Sequence, residues 1–386
     1  MKTPVYFDHH ATTPVDSRVL EAMLPYFAGK FGNPASRSHS FGWAAEKAIE
    51  RARKQVAELA HASPREIVFT SGATESNNLA IKGVWEAYRT RGNHIITAAT
   101  EHRAVLDPVR HLERLGVEVT ILPVHPDGLL DLECLRQAIR PETVLVSVMF
   151  ANNETGVIQP IGEIGAICRE GGVLFHTDAA QAFGKVPVSV SEAAIDLMSV
   201  TAHKIYGPKG VGALYIRRGV TAVAQIDGGG HERGLRSGTL NVPAIVGFGG
   251  AAAICANEME AEAARTRSLR DRLLARIEAG LDGVRVNGSM AHRLPANLNL
   301  ALAGIDADAL LTSLPDIALS TGSACSSAAP EPSHVLQALA LTEAEARSSV
   351  RFGLGRTTTD EEVDYVVDRV IAGVLSLRRA TPAARI

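Results

Sequence analysis

Between Arg65 and Arg218 the chain alternates short apolar, β-branched runs with longer amphipathic stretches. The runs are "EIVFT", "HIITAA", "VEVTIL", "TVLVSVMF", "VLFHT", "DLMSV" and "VGALYI", and the intervening segments include "ESNNLAIKGVWEAYR" and "RAVLDPVRHLERLG". Strands that are apolar at every position, separated by helices, predict a largely parallel sheet covered on both faces, the doubly wound α/β pattern. From about Pro243 the texture becomes alanine-rich and helical, "AIVGFGGAAAICANEMEAEAARTRSLRDRLLARIEAGL". Short mixed segments follow, "GVRVNG" and "ANLNLAL", then the helical "ADALLTSL" and "SHVLQALA" and a final helix "TDEEVDYVVDRVIAGVLSLR". This predicts a long connecting helix and two domains: a large one over 16–258, and a smaller α+β one made of 1–15 and 259–386.

Composition narrows the partners. With 386 residues, 39 basic against 42 acidic side chains and a net charge of -3, the chain can bury a sizeable core but has no excess of positive charge for nucleic acid or anionic membranes. The start, "MKTPVYFDHHATTPVD", lacks a basic segment followed by an apolar one, and no uninterrupted apolar stretch is long enough to span a bilayer. A soluble, cytoplasmic protein is expected. The four cysteines, Cys134, Cys168, Cys255 and Cys325, form no C-x-x-C pair, so neither a zinc site nor a disulfide framework is indicated.

In open α/β sheets ligands bind beyond the carboxyl ends of the strands. Here those ends carry Ser71-Gly72-Ala73-Thr74, Thr100-Glu101-His102, Ala151-Asn152-Asn153-Glu154, Asp178-Ala179-Ala180-Gln181 and Thr201-Ala202-His203-Lys204. The Ser-Gly-Ala-Thr turn opening a helix suits a phosphate, and equally an ordinary cap provided by Thr74. It has neither the P-loop spacing nor G-x-G-x-x-G. A phosphate cradle, an amine and a strand-end carboxylate together suggest pyridoxal phosphate, which needs a lysine, an anion site and an acidic partner for its pyridinium nitrogen. Lys204, Ser71 with Thr74, and Asp178 could supply them, although Asp178 could also simply cap a helix. Lys209, in Gly-Pro-Lys-Gly, is expected in water. His102 could stack on a ring or move protons, or merely bond nearby backbone. Asn153 and Gln181 could hold a substrate carboxylate and a phenolic oxygen, or tie down loops. Cys325, in "LSTGSACSSAAPEPSHV", is expected on an exposed loop over about 319–333, where a thiol asks for a chemical reason. The other three cysteines lie in helical patterns and are expected to be buried.

The chain resembles the cysteine desulfurases of the NifS/IscS type, group I, within the class V aminotransferase branch. The resemblance is carried by "FDHHATTPVD", "FGNPASRSHSFG", "IVFTSGATESNNLAIKG", "TEHRAVLD", "NNETGVIQPI", "HTDAAQAFGK", "HKIYGPKGVGALY", "GGGHERGLRSGT", "STGSACSS" and "SSVRFGLGR". It implies a type I PLP-dependent transferase fold with a seven-stranded sheet, and conversion of L-cysteine to L-alanine with the sulfur passing to Cys325 as a persulfide and then to an acceptor. It further implies Lys204 as Schiff-base lysine, Asp178 as pyridinium partner and His102 stacked on the ring. Ala73, Thr74, Thr201 and His203 would surround the phosphate, Gln181 would meet the phenolic oxygen, and Thr239 would reach the phosphate from a second subunit. Asn33, Asn153 and Arg351 would hold the substrate carboxylate. A homodimer and a sulfur-acceptor protein such as an iron–sulfur scaffold follow from the same resemblance. The chain stops soon after "SLRRATPAARI", short of the extension many relatives use for scaffold docking. A selenocysteine lyase or an aminotransferase on the same fold, and a non-catalytic sulfur-trafficking subunit, are the alternatives.

Overall fold

The computed structural model describes residues 3–321 and 332–380. Each of the seven apolar runs becomes one strand of a single sheet. Across it the order is Ile67–Thr70, Gly212–Ile216, Leu197–Thr201, Leu174–Asp178, Thr143–Ser147, His94–Ala98 and Glu118–Leu122. Only Gly212–Ile216 runs against its neighbours, and the other pairings are parallel. Five of the seven strands are buried at every position, because helices cover both faces. The edge strand Glu118–Leu122 is mostly solvated, as an edge tolerates.

One apolar core lies on each side of this sheet, with Phe69, Phe175, Phe183 and Phe248 on one face and Val68, Ile81, Ile95 and Leu145 on the other. A third core joins the end of the long helix Val242–Gly280 to the final helix Asp360–Ala380 and a four-stranded antiparallel sheet. That smaller sheet has the order Ser320–Thr321, Ser349–Gly353, Asn297–Leu302, Val284–Val286. The N-terminal strand Val5–Tyr6 pairs in parallel with Ile317–Ala318, so the chain's start does return to the C-terminal part.

By length and composition the long helix could cross a membrane, yet over half of its most apolar window is buried here. Gly249 explains the tight packing: a Cβ there would sit 2.5 Å from the Ala52 Cα of the facing helix Ser40–Leu59, so only glycine permits that approach. The segment "ATTPVD" ties the N-terminus to the edge where ligands are expected. Thr13 Oγ1 donates to the His203 carbonyl at 2.9 Å and accepts from the Tyr206 amide at 2.8 Å.

Candidate active site

Beyond the carboxyl ends of the parallel strands lies a cavity of about 500 Å³, within the size range of small-molecule sites. Its wall includes Ala73, Thr74, His102, Asn153, Asp178, Gln181, Thr201, His203, Lys204 and Arg351. Ten residues proposed from sequence therefore converge on one space. Asn33 and Thr239 do not line it, and both are exposed in the single chain. Cys325 lies outside the described residues. Ser320 stands directly opposite the wall residue Arg351 across the small sheet, and on the far side of the Cys325 segment Ser333 donates to Glu154 Oε2 at 2.5 Å, Glu154 being next in sequence to the wall residue Asn153.

The helix Ala73–Tyr88 points its N-terminus into the cavity, and Gly72, not Thr74, is the capping position. Among the described residues no side chain bonds the first N–H groups there, leaving donors and a positive helix end. Opposite, a Cβ on Gly212 would come within 2.7 Å of Gly72 Cα, so the turn is held against a glycine that clears the space. Thr201 ends its strand with its hydroxyl near this turn, 3.8 Å from where a Gly72 Cβ would stand. His203 bonds Thr12 Oγ1 through Nδ1 at 3.1 Å, and burial together with the charges of Lys204, Lys209 and Lys185 lowers it to about 4. It is a neutral hydrogen-bonding group at pH 7.

Asp178 ends the strand Leu174–Asp178, only 5 % exposed. No helix follows it, so it is not the helix cap that the sequence also allowed: Oδ1 accepts from the Ala180 amide at 2.9 Å in a turn, while Oδ2 accepts from Asn77 Nδ2 at 2.7 Å. Lys204 ends a short turn after Leu197–Thr201 and donates through Nζ to the carbonyls of His10 and of Ala11, the latter at 2.6 Å. His102 caps the helix Arg103–Glu113, and its Nδ1 accepts from the Ala104 amide at 3.0 Å. That bond assigns the ring proton to Nε2 in the neutral form. Arg351, 1 % exposed, donates to the Asn153 carbonyl at 2.9 Å and to Asp8 Oδ1 at 2.7 Å, while its Nε has no partner among the described residues. Lys209 is exposed at the rim.

Sequence reasoning missed Asp8, His10, Asn77 and Lys185. Asn77 and the His9-His10 pair left one trace each, polar residues inside otherwise apolar or motif-bearing segments. Cys168 and Cys255 are buried as expected, their thiols pushed up to about 12 and about 11 by burial, whereas Cys134 is only partly covered. Two buried carboxyls adjoin the site. Burial and the Asp178 charge raise Glu101 well above the usual range, and burial raises Glu154 to about 7.

The donor set fits pyridoxal phosphate: a bare helix N-terminus with two threonines for an anion, an amine held nearby on carbonyls, and a buried, oriented carboxylate. A cavity so equipped at the strand ends of this α/β fold defines a type I PLP-dependent enzyme. The chain belongs to the class-V aminotransferase family, whose model matches residues 5–366. It is 59 % identical to the cysteine desulfurase IscS of Anaeromyxobacter sp. (strain Fw109-5), over 99 % of this chain and 95 % of that one. It is 54 % identical to the protein of the same name from Rickettsia bellii (strain OSU 85-389), over 98 % and 93 %. Among solved structures it resembles a NifS-like protein, with a TM-score of 0.91, 40 % identity and coverage of 96 % and 99 %. It also resembles SspA in complex with cysteine, with a TM-score of 0.80, 39 % identity and coverage of 91 % and 98 %.

Proposed function

We propose that this chain is a pyridoxal phosphate-dependent cysteine desulfurase that converts L-cysteine to L-alanine and passes the sulfur, through a persulfide on Cys325, to an acceptor. The observation that carries it is the meeting of Lys204, Asp178, His102 and Arg351 with the open N-terminus of Ala73–Tyr88 in one cavity. The cofactor, when bound, supplies an aldehyde that an amine can hold and a pyridinium ring that stores the electron pair left at the substrate's α-carbon.

The roles of the residues follow from their surroundings. Lys204 would hold the cofactor, and its Nζ would take and return the substrate's α-proton; the His10 and Ala11 carbonyls fix where that amine rests. Asp178, aimed by Asn77 and the Ala180 amide, keeps the ring nitrogen protonated. Ala73, Thr74, Thr201 and neutral His203 receive the phosphate. Gln181 has one amide proton on the His10 carbonyl at 2.9 Å, and the other is available for the phenolic oxygen. His102 would cover the ring and, with its proton on Nε2, serve as a donor toward the cavity. Asn153 and Arg351 take the substrate carboxylate. Cys325 receives the substrate sulfur as the carbon–sulfur bond breaks.

The second subunit is part of this reading. Phe27, Phe31, Phe41 and Trp43 are 62, 66, 49 and 55 % exposed within one N-terminal region, more apolar surface than an isolated chain should show water. A homodimer covers them and brings Asn33 and Thr239 to a neighbouring site. Burial of the apolar part of the long helix supports a cytoplasmic enzyme, and the division into 16–258 against 1–15 plus 259–386 is supported by the separate cores. The acceptor belongs to iron–sulfur assembly or a thiolation pathway. Purified protein given L-cysteine should form alanine and a persulfide, and Cys325→Ala should keep the cofactor's absorbance while losing nearly all alanine formation. Full activity in that variant would refute the assigned sulfur carrier.

A further inference from the structure

A second amine lies behind the cavity wall. Lys185 follows the turn after Asp178 and donates through Nζ to Gln181 Oε1 at 2.8 Å. The same oxygen lies 3.1 Å from His10 Nδ1, and Gln181 Nε2 donates to the His10 carbonyl, which also accepts Lys204 Nζ. One carbonyl thus joins the Gln181 amide to the Lys204 amine. The amide cannot be turned around: its NH2 would then face an ammonium, and its oxygen would face a carbonyl, leaving buried donors and acceptors without partners.

We propose that Lys185 is a positioning residue for the cofactor: it locks the Gln181 amide with Nε2 toward the phenolic oxygen and places a second amine behind the Lys204 amine. This rests on the reading of Lys204 and Gln181 given above. Lys185 lines a small pocket of about 30 Å³ together with His9, His10, Tyr206 and Glu262. Burial first, then the Lys204 charge, lowers it to about 7, with Arg351 acting in the same sense and Glu262 and Cys255 opposing. Both imidazoles are neutral there, since burial lowers His9 to about 4 and His10 well below its usual value. Among the described groups around it, the Glu262 carboxylate favours the charge on Lys185, while the Cys255 thiol is neutral near pH 7. Two lysines sharing a poorly solvated region disfavour each other's protonation, a recognised way to free an amine for covalent and base chemistry near pH 7.

The test is the pH titration of the bound cofactor's visible absorbance, which reads the nitrogen joined to Lys204 without turnover. In Lys185→Met both the second amine and the lock on Gln181 are gone, and both losses favour the protonated form. The midpoint should rise by about one pH unit, the order of a nearby like-charge effect. Lys185→Gln removes the charge but can still donate to Gln181, and should rise by less; it decides the matter if the methionine variant does not fold. Cofactor stoichiometry and circular dichroism confirm that the compared proteins are loaded and folded. Midpoints within 0.2 unit of the parent in every folded variant would overturn the role of Lys185 (a threshold set at roughly a fifth of the shift expected). Failure of the underlying reading looks different: the unaltered protein would show no lysine-bound cofactor band, or Lys204→Ala would keep it.

Discussion

Replacing Arg351 with lysine tests whether the guanidinium grips substrate or merely braces the fold. Its side chain is 2 % exposed and already bonded to Asp8, whose side chain is 18 % exposed, and to the Asn153 carbonyl. A carboxylate arriving in the cavity would use the remaining donors of the planar fork, including Nε, which has no partner among the described residues. Lysine keeps a positive charge but cannot serve Asp8, Asn153 and substrate with paired, parallel bonds. A hydrogen bond to a charged group contributes about 1.5–3 kcal/mol, so losing one costs about 2 kcal/mol, or about 30-fold in KM. The substrate carboxylate is not altered by the reaction, so its binding is uniform and kcat should change less than about threefold. Alanine formation against L-cysteine concentration gives both constants, and cofactor absorbance confirms loading. A KM within twofold of the parent would show that Arg351 only neutralises Asp8 (the bound is far below the effect of one charged hydrogen bond).

Other outcomes follow from the same coordinates. Gly212→Ala should weaken cofactor binding by at least about tenfold, because the new Cβ would lie 2.5 Å from the Val200 carbonyl oxygen and 2.7 Å from Gly72 Cα; equilibrium titration of the cofactor-free chain reads this. Arg53→Met should cost about 3–5 kcal/mol in denaturant unfolding, since it strands Glu232, whose side chain is 1 % exposed and bonded to Arg53 at 2.7 Å; a loss below about 1 kcal/mol would contradict the buried pair's importance. His176, held between Ser147 and Ser199 hydroxyls at 2.8 and 2.9 Å, is lowered by burial to about 3. The folded chain therefore leaves it neutral where the unfolded chain protonates it, so its contribution is full above pH 6.5 and is lost as pH falls from there toward 3. Nuclear magnetic resonance should find no His176 imidazolium at about pH 5, and a normal titration would refute this environment.

Much of the site was legible because strand ends in a parallel sheet expose their next residues along one edge. Lys204, Asp178, His102 and Thr201 each stand just past an apolar run, and that placement alone predicts their convergence. Thr74 was read as a possible cap, but the backbone puts Gly72 there and leaves the donors open. Arg351 sits in an apolar strand of the small sheet, where only the motif "SSVRFGLGR" and not periodicity marked it. Nothing local distinguishes Lys185 from a surface lysine.

The sequence by itself determined the seven strands, their covering helices and the edge on which chemistry collects, because burial of both sheet faces is written in local periodicity. Only the tertiary structure decided that Asp8 faces Arg351, that the His10 carbonyl joins Gln181 to Lys204, and that Lys185 stands behind them. The contacts of the N-terminal segment span 171, 194 and 343 residues, and even the local Lys185–Gln181 bond takes its effect from water being excluded when that segment closes over the sheet edge. No window of neighbouring residues encodes that exclusion.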